Sequence, residues 1–178
     1  MKHDAYSDDY ISQILSSIRS IAVVGASANP VRASFIVMQY LIAKGYLVYP
    51  VNPGIAGQTL LGRKVYASLA ELDEGADCVD IFRNSEAAGG VVREAIALKE
   101  KLGLKVVWMQ LGVRNDAAAA EAEAADLQVV MNRCPKIEYG RLSGEIGWFG
   151  INTGVVSSRL PRLAPKGVQS LVIKPPER

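Results

Sequence analysis

The segment Val24-Gly25-Ala26-Ser27-Ala28-Asn29-Pro30 stands between a short apolar run and a long apolar stretch that reads as a helix. A strand entering a helix through a glycine-started turn aims backbone N–H groups and the positive end of a helix dipole at one place. The charge around it is one-sided. From Tyr10 to Ala70 there is no Asp or Glu, while Arg19, Arg32, Lys44, Arg63 and Lys64 remain. The chemistry this suits is binding of a polyanionic phosphate ligand. Arg32, expected in the first helical turn, opposes the helix dipole unless an anion is bound there, and Ser34 is spaced to reach the same anion. A sheet-forming half that simply lacks acids would have the same composition.

Side chains able to make or break bonds are few. His3 is the one histidine and is expected in a floppy terminus, which excludes most Ser-His-Asp, Cys-His and His-metal schemes. Cys134 lies near Arg133 and Lys136. It is either a thiol of lowered pKa able to exchange with another thiol, or a packed structural cysteine, the commoner case. Cys78 reads as core. Asp80, inside an apolar strand, is expected to pair with Arg83 or Arg133 unless it has a role of its own. Glu138-Tyr139 could supply acid/base chemistry, but nothing places a substrate beside it. Trp108 and Phe82 could stack on a nucleobase or pack in the core. No catalytic residue and no metal site is expected.

The elements that must position these groups alternate. Ser7 or Asp8 caps a first helix, residues 9–18, with Ile11, Ile14, Leu15 and Ile18 on one face. Strands are predicted at 21–24, 46–51, 78–82, 105–109 and 127–131, with Val65-Tyr66 as a short extended segment. Helices are predicted at 30–44, with Asn29 as its N-cap, at 85–102, with Ser85 as its N-cap, and at 115–125, capped by Asn115. Ser68-Leu69-Ala70-Glu71 reads as a capping box. Apolar strands alternating with helices imply an α/β fold: a Rossmann-like, doubly wound parallel sheet of about five strands, expected in the order 3-2-1-4-5. Ligands on such sheets bind at the carboxyl ends of the strands, here residues 25–30, 52–57, 82–85, 110–115 and 132–136.

At 178 residues and 49% hydrophobic the chain is long enough for one globular domain with a proper core. A net charge of +2 is too small to argue for nucleic acid. No apolar run reaches the length of a membrane span, the first residues do not resemble a signal peptide, and two cysteines make no disulfide framework. The expected location is the cytoplasm. Past Gly140 the pattern breaks: residues 140–178 hold six basic and two acidic side chains and are punctuated by glycines and prolines. A domain over 1–142 and a basic tail over 143–178, available to a partner or to a second copy, are therefore expected.

The three glycines of the dinucleotide fingerprint correspond here to Gly25, Ser27 and Pro30, so only the first is kept. After the second strand, Val51-Asn52-Pro53 supplies no carboxylate for an adenosine ribose. NAD is disfavoured on both counts, NADP less so, which leaves an NADP-dependent oxidoreductase or another nucleotide enzyme as the alternative function.

Six segments in order carry a resemblance: Val24-Gly25-Ala26-Ser27, Tyr49-Pro50-Val51-Asn52-Pro53, Leu61-Gly62-Arg63-Lys64-Val65-Tyr66, Val79-Asp80-Ile81-Phe82-Arg83, Val107-Trp108-Met109-Gln110-Leu111-Gly112 and Asn132-Arg133-Cys134-Pro135-Lys136. Together they resemble the small stand-alone CoA-binding proteins, which look like the N-terminal Rossmann-type domain of the succinyl-CoA synthetase α subunit. The resemblance covers about residues 10–142. It implies coenzyme A as the ligand and a binding, sensing or carrier role without chemistry. By position it implies phosphate contacts from Gly25, Ala26, Ser27, Asn29, Pro30, Arg32 and Ser34. Asn52 and Pro53 would flank the nucleotide, Phe82 and Arg83 would follow the third strand, and Met109, Gln110 and Leu111 would line the adenine or pantetheine side. The synthetase lysine after the Pro-Gly of the second loop is replaced here by Ile55, leaving Arg32, Arg63 or Lys64 to supply that charge.

Overall fold

Apolar runs of four or five residues, separated by helices, pair as parallel strands because only burial on both faces accounts for such runs. The structure, a computed structural model, describes residues 2–145. In chain order the elements are α1 (Asp8–Ser17), β1 (Ser20–Val24), α2 (Ala33–Ala43), β2 (Leu47–Val51), β3 (Thr59–Leu60), β4 (Arg63–Lys64), β5 (Cys78–Ile81), α3 (Ser85–Ala97), α4 (Lys99–Leu102), β6 (Val106–Met109), α5 (Asp116–Ala124), β7 (Gln128–Val130) and α6 (Pro135–Leu142). The five-stranded sheet has the order β2-β1-β5-β6-β7, all pairs parallel, and β3 and β4 form a separate antiparallel hairpin. One face carries Val79, Ile81, Val107 and Met109 against α3 and α5; the other carries Val23, Val48 and Trp108 against α1, α2 and α6.

The α/β, Rossmann-like reading holds, but the strand order differs. Counting only the five main strands, the order is 2-1-3-4-5 rather than 3-2-1-4-5. The place outside β2 is taken by Val65-Tyr66, where Tyr66 makes a single parallel bridge to Val51, with Asn52 N donating to Tyr66 O and Tyr66 N to Pro50 O. Cys78–Ile81 therefore lies on the other side of β1, so that the order in which strands are added to the parallel sheet reverses between β1 and β5. One residue of pairing fills the position that a full strand would hold, at the segment expected as a short strand or extended stretch.

Helix ends also differ from expectation. The helix after β1 begins at Ala33 with Arg32 as its N-cap residue. Asn29 instead closes its own turn by accepting from Val31 N, because Pro30 directly after it cannot donate. Ser7 and Asn115 cap as expected. Asn84, not Ser85, caps α3, and Ser85 Oγ accepts from Arg114 N. The expected long helix breaks at Leu98 into α3 and α4. Of the expected capping box only the glutamate acts: Glu71 accepts from Ala67 N, while Ser68 makes no cap bond. His3 is buried and bonds to Tyr6, so the N-terminal segment is laid down rather than floppy. Tyr6 and Tyr10 then close the outer edge of β7, Tyr6 Oη accepting from Met131 N and Tyr10 Oη donating to Val129 O. Cys134 leads directly into α6, which the sequence pattern left as loop. Just past α6, Glu145 binds Tyr40 and Lys44 of α2. The expected tail, from 146 onward, lies outside the described residues.

Two contacts hold the two ends of the sheet. At the amino end, Asp77 accepts from Arg19 N, Ser20 N and Ser20 Oγ and pairs with Lys105 Nζ at 2.7 Å, tying the starts of β1, β5 and β6. Burial opposes its charge, but Lys105 and the two backbone N–H groups outweigh burial and hold the carboxyl below its ordinary value. At the carboxyl end, Gly25 (φ +91°) passes so close to β5 that a Cβ on it would lie 2.4 Å from Phe82 O.

Asp77→Asn should lower unfolding free energy at neutral pH by about 2 kcal/mol. A depressed folded-state pKa stabilises above the unfolded value and is lost as pH falls through the folded one. The gap between variant and wild type in chemical denaturation should therefore close in acid; a gap that persists at pH 2 would assign it to packing. Gly25→Ala should cost about 3 kcal/mol or more, or abolish folding, since both φ and the carbonyl exclude a side chain. An alanine variant melting with the wild type would mean that the two loops can part freely.

Candidate functional site

Gly25 directs the chain away from β1 while Phe82 directs it away from β5, and the space between their loops is a cleft of about 910 Å³. Its walls come from the carboxyl ends of all five strands, where a parallel sheet with a reversal between β1 and β5 leaves a crevice. The first loop supplies Gly25, Ala26 and Ser27, then Arg32 and Ser34 at the start of α2. Asn52 enters from the loop after β2, Phe82 and Arg83 from that after β5, and Gln110 and Leu111 from that after β6. Ten of the fourteen expected residues thus meet around one cavity.

The other four do not line it. Met109 is fully buried under the α3–α5 face. Pro53 begins a single 3-10 turn after Asn52. Asn29 and Pro30 stand in the exposed turn ahead of α2, where Arg32 N donates to Asn29 O. Ala33, Val37 and Ile137 were not among the expected residues, Asn84 and Val113 were included only within the expected segments 82–85 and 110–115, and Cys134 was undecided; all six line the cleft. Val37 and Ile137 are ordinary apolar residues whose position depends on packing, and no sequence signal separates them from core. Asn84 was findable as an Asn one residue before the Ser85 assigned as cap.

The Gly25 and Ala26 N–H groups both donate to Val51 O, so these residues shape the turn with their backbone bonds already used. Asn52 fastens the same turn from the other side, donating from Nδ2 to Ala26 O at 2.6 Å and accepting Gly54 N on Oδ1. What faces the cleft is the N-terminus of α2, whose first N–H groups lack carbonyl partners as at any helix start, together with Ser27 and Ser34. Arg32 and Arg83 are exposed and make no ion pair among the described residues, and no carboxylate lines the cavity. Leu111 and Ile137 give the rim an apolar side.

The groups with possible chemistry are accounted for differently than expected. Asp80 is fully buried in the middle of the sheet, between Val23 and Trp108 in register. It pairs with neither Arg83 nor Arg133. Its partner is Gln110, whose Nε2 lies 2.9 Å from both carboxyl oxygens. An arginine could not follow it there, since Arg83 leaves the strand end toward solvent. Burial pushes the Asp80 carboxyl up to about 8 against the Gln110 hydrogen bond, which favours the charged form. Burial likewise raises the Cys134 thiol, with nearby Asp80 adding to it and the N–H groups of Ile137 and Lys136 opposing. Cys134 is therefore a cleft-lining thiol whose surroundings disfavour the thiolate. Glu138 is buried and paired with Arg141 and Arg133, and Trp108 is core, its Nε1 donating to Arg133 O. Among the described residues no group of three His, Cys, Asp or Glu could hold a metal, and no helix is long and apolar enough to cross a membrane.

A family model described as a CoA binding domain matches residues 19–140. The chain is 36% identical over 129 residues to the uncharacterized protein YneT of Bacillus subtilis, covering 72% of this chain and 91% of YneT. A solved structure of a hypothetical protein from Pyrococcus horikoshii superposes with a TM-score of 0.72 at 40% identity, covering 80% of this chain and 96% of that one. The α subunit of an ADP-forming acetate–CoA ligase from Pyrococcus furiosus is 33% identical over 99 residues, which are 53% of this chain but 21% of the subunit. This chain thus spans the length of the small stand-alone relatives and one part of the ligase subunit. With a match over most of the described fold, and with the cleft inside the matched span, the chain belongs to the CoA-binding domain family.

Proposed function

We propose that the protein binds coenzyme A or an acyl-CoA in this cleft as a binding, sensing or carrier module with no chemistry of its own. The observation that carries the reading is the charge of the cavity: a helix N-terminus and two arginines that make no ion pair among the described residues, around a space that none of their carboxylates enters. Such a site is complementary to several phosphates at once. The apolar rim at Leu111 and Ile137 offers a place for the less polar part of the ligand. The family match and the ligase α subunit point to the same ligand.

NAD fits less well. Asn52 stands after β2 in place of a ribose-binding carboxylate, and its side chain is already engaged on both sides. An NADP-dependent enzyme would use the same arginines and remains the competing ligand class. Catalysis is unsupported by the lining: it holds Ser27, Ser34 and Cys134 but no histidine or carboxylate to act as their base. Two free cysteines, neither in a disulfide, suit a reducing cytoplasm.

Titration calorimetry should give CoA at least roughly tenfold tighter binding than NAD or NADP, about 1.4 kcal/mol or more; equal affinities would remove the reading. Arg32→Glu should weaken CoA by about 2 kcal/mol while leaving the thermal midpoint of the empty protein unchanged or slightly higher, because an acid favours the helix start that a cation opposes. Loss of stability with CoA affinity intact would make Arg32 a structural residue. The isolated protein should hydrolyse or ligate CoA thioesters no faster than buffer; turnover abolished by Cys134→Ser would establish an enzyme.

A further inference from the structure

Asp80 is buried at the centre of the sheet in a place where packing would be served by any aliphatic residue. A carboxyl there costs several kcal/mol of desolvation unless something compensates. The structure offers it one hydrogen-bond donor, Gln110 Nε2, and no ion pair among the described residues. The contact joins residues thirty positions apart, across the β5–β6 pairing, at the point where β6 ends and its loop enters the cleft. Gln110 is itself nearly buried yet lines the cavity. Its Nε2 is held from below by Asp80, whereas its Oε1 has no protein partner among the described residues. A side-chain amide with its donor end tied down presents its acceptor end to whatever occupies the cavity.

We infer that Asp80 is a positioning residue for ligand recognition: it holds the Gln110 amide so that Oε1 accepts a hydrogen bond from an N–H donor of the bound ligand. The inference rests on the proposed CoA-type ligand. Coenzyme A carries two kinds of N–H donor, the adenine 6-amino group and the pantetheine amides, and both are of the required chemistry. An uncharged acceptor matters in this cavity because a carboxylate in its place would repel the phosphates. A glutamine anchored by a carboxyl beneath it supplies direction without adding charge at the cleft surface. The raised affinity of Asp80 for its proton fits this, since the two thiols that share its surroundings, Cys78 and Cys134, offer no charge to balance an anion.

The test begins with calorimetric titration of CoA into the wild-type protein; if none binds, the functional reading falls and this inference with it. If CoA binds, Gln110→Leu should weaken it roughly tenfold, as expected for one lost hydrogen bond that leaves a polar group unpaired. Asp80→Leu should weaken it by a similar factor while melting at or above the wild-type temperature, because an apolar isostere replaces a buried carboxyl. The double variant should be no worse than either single one, since both remove the same contact. Full affinity in Asp80→Leu, or additive losses in the double variant, would overturn the inference. The measurement independent of variant folding is NMR of the wild-type Gln110 side-chain amide. Its signals should shift with pH as the Asp80 carboxyl titrates, and the absence of any shift between pH 3 and 10 would equally overturn it. The donor is assigned with 1,N6-etheno-CoA, which lacks the free adenine amine. If adenine is the donor, this analogue binds the wild type as weakly as CoA binds Gln110→Leu. If the pantetheine amide is the donor, its affinity falls on Gln110 substitution as that of CoA does.

Discussion

The close passage of Gly25 beneath the Phe82 carbonyl governs the rest of this molecule. Phe82 N donates to Val24 O at 2.8 Å, which carries the β1–β5 ladder one residue beyond the strands. Immediately afterwards the two chains must separate, one toward α2 and the other toward α3. Because the left-handed backbone at Gly25 turns the first loop sharply while Phe82 O occupies the space of a side chain, the divergence is abrupt. The cavity is the volume that this divergence opens. A gentler exit from β1 would place the start of α2 elsewhere and remove the convergence of Arg32, Arg83 and the helix N-terminus.

The polar groups around the cavity fall into two sets with different physical jobs. Asn52, the Gly25 and Ala26 N–H groups and Asn29 spend their hydrogen bonds within the protein and so hold the turn in one shape. Arg32 and Arg83 make no ion pair among the described residues, and they face the space the turn defines together with Ser34 and with Ser27, whose Oγ accepts from Asn29 N. This division keeps positive potential where a ligand can reach it, because the neutralising acids are elsewhere: Asp77 serves the opposite end of the sheet, Glu138 is matched by Arg141, and Asp80 is buried and inclined to hold its proton. Asp77 thus lies at the amino ends of the strands, away from Arg32 and Arg83 at the carboxyl ends.

The outer parts of the fold protect this arrangement. The edge of β7 would otherwise expose unpaired backbone groups, and the hydroxyls of Tyr6 and Tyr10 occupy two of them. Helix α6 starts at the cleft with Cys134 and ends against α1 and α2, where Glu145 meets Tyr40 and Lys44. It joins the cleft to the helices α1 and α2 on the same face of the sheet. The short Tyr66 bridge plays the corresponding part outside β2, closing that edge with a single residue.

How much of this was legible in the sequence depends on the range of the interactions involved. Strands such as Ile21–Val24 and Val106–Met109 were readable because a strand buried on both faces must be apolar throughout. The caps at Ser7 and Asn115 were readable because a cap bonds within three residues. The glycine at the end of β1 and the absence of acids from Tyr10 to Ala70 singled out the strand–turn–helix that borders the cleft. The strand order, helix α6, the Asp80–Gln110 contact and the recruitment of Val37 and Ile137 to the cavity were not readable. Each depends on which distant segments become neighbours, and for Asp80 the sequence offered Arg83 or Arg133 but not Gln110, its actual partner. By itself the sequence determined that this is a parallel α/β domain with a positively biased strand–turn–helix at its first crossover. Only the tertiary structure decided which side chains share the cleft and which partners neutralise its acids, because hydrogen bonds and charge pairs act over a few ångströms while sequence separation is no measure of distance.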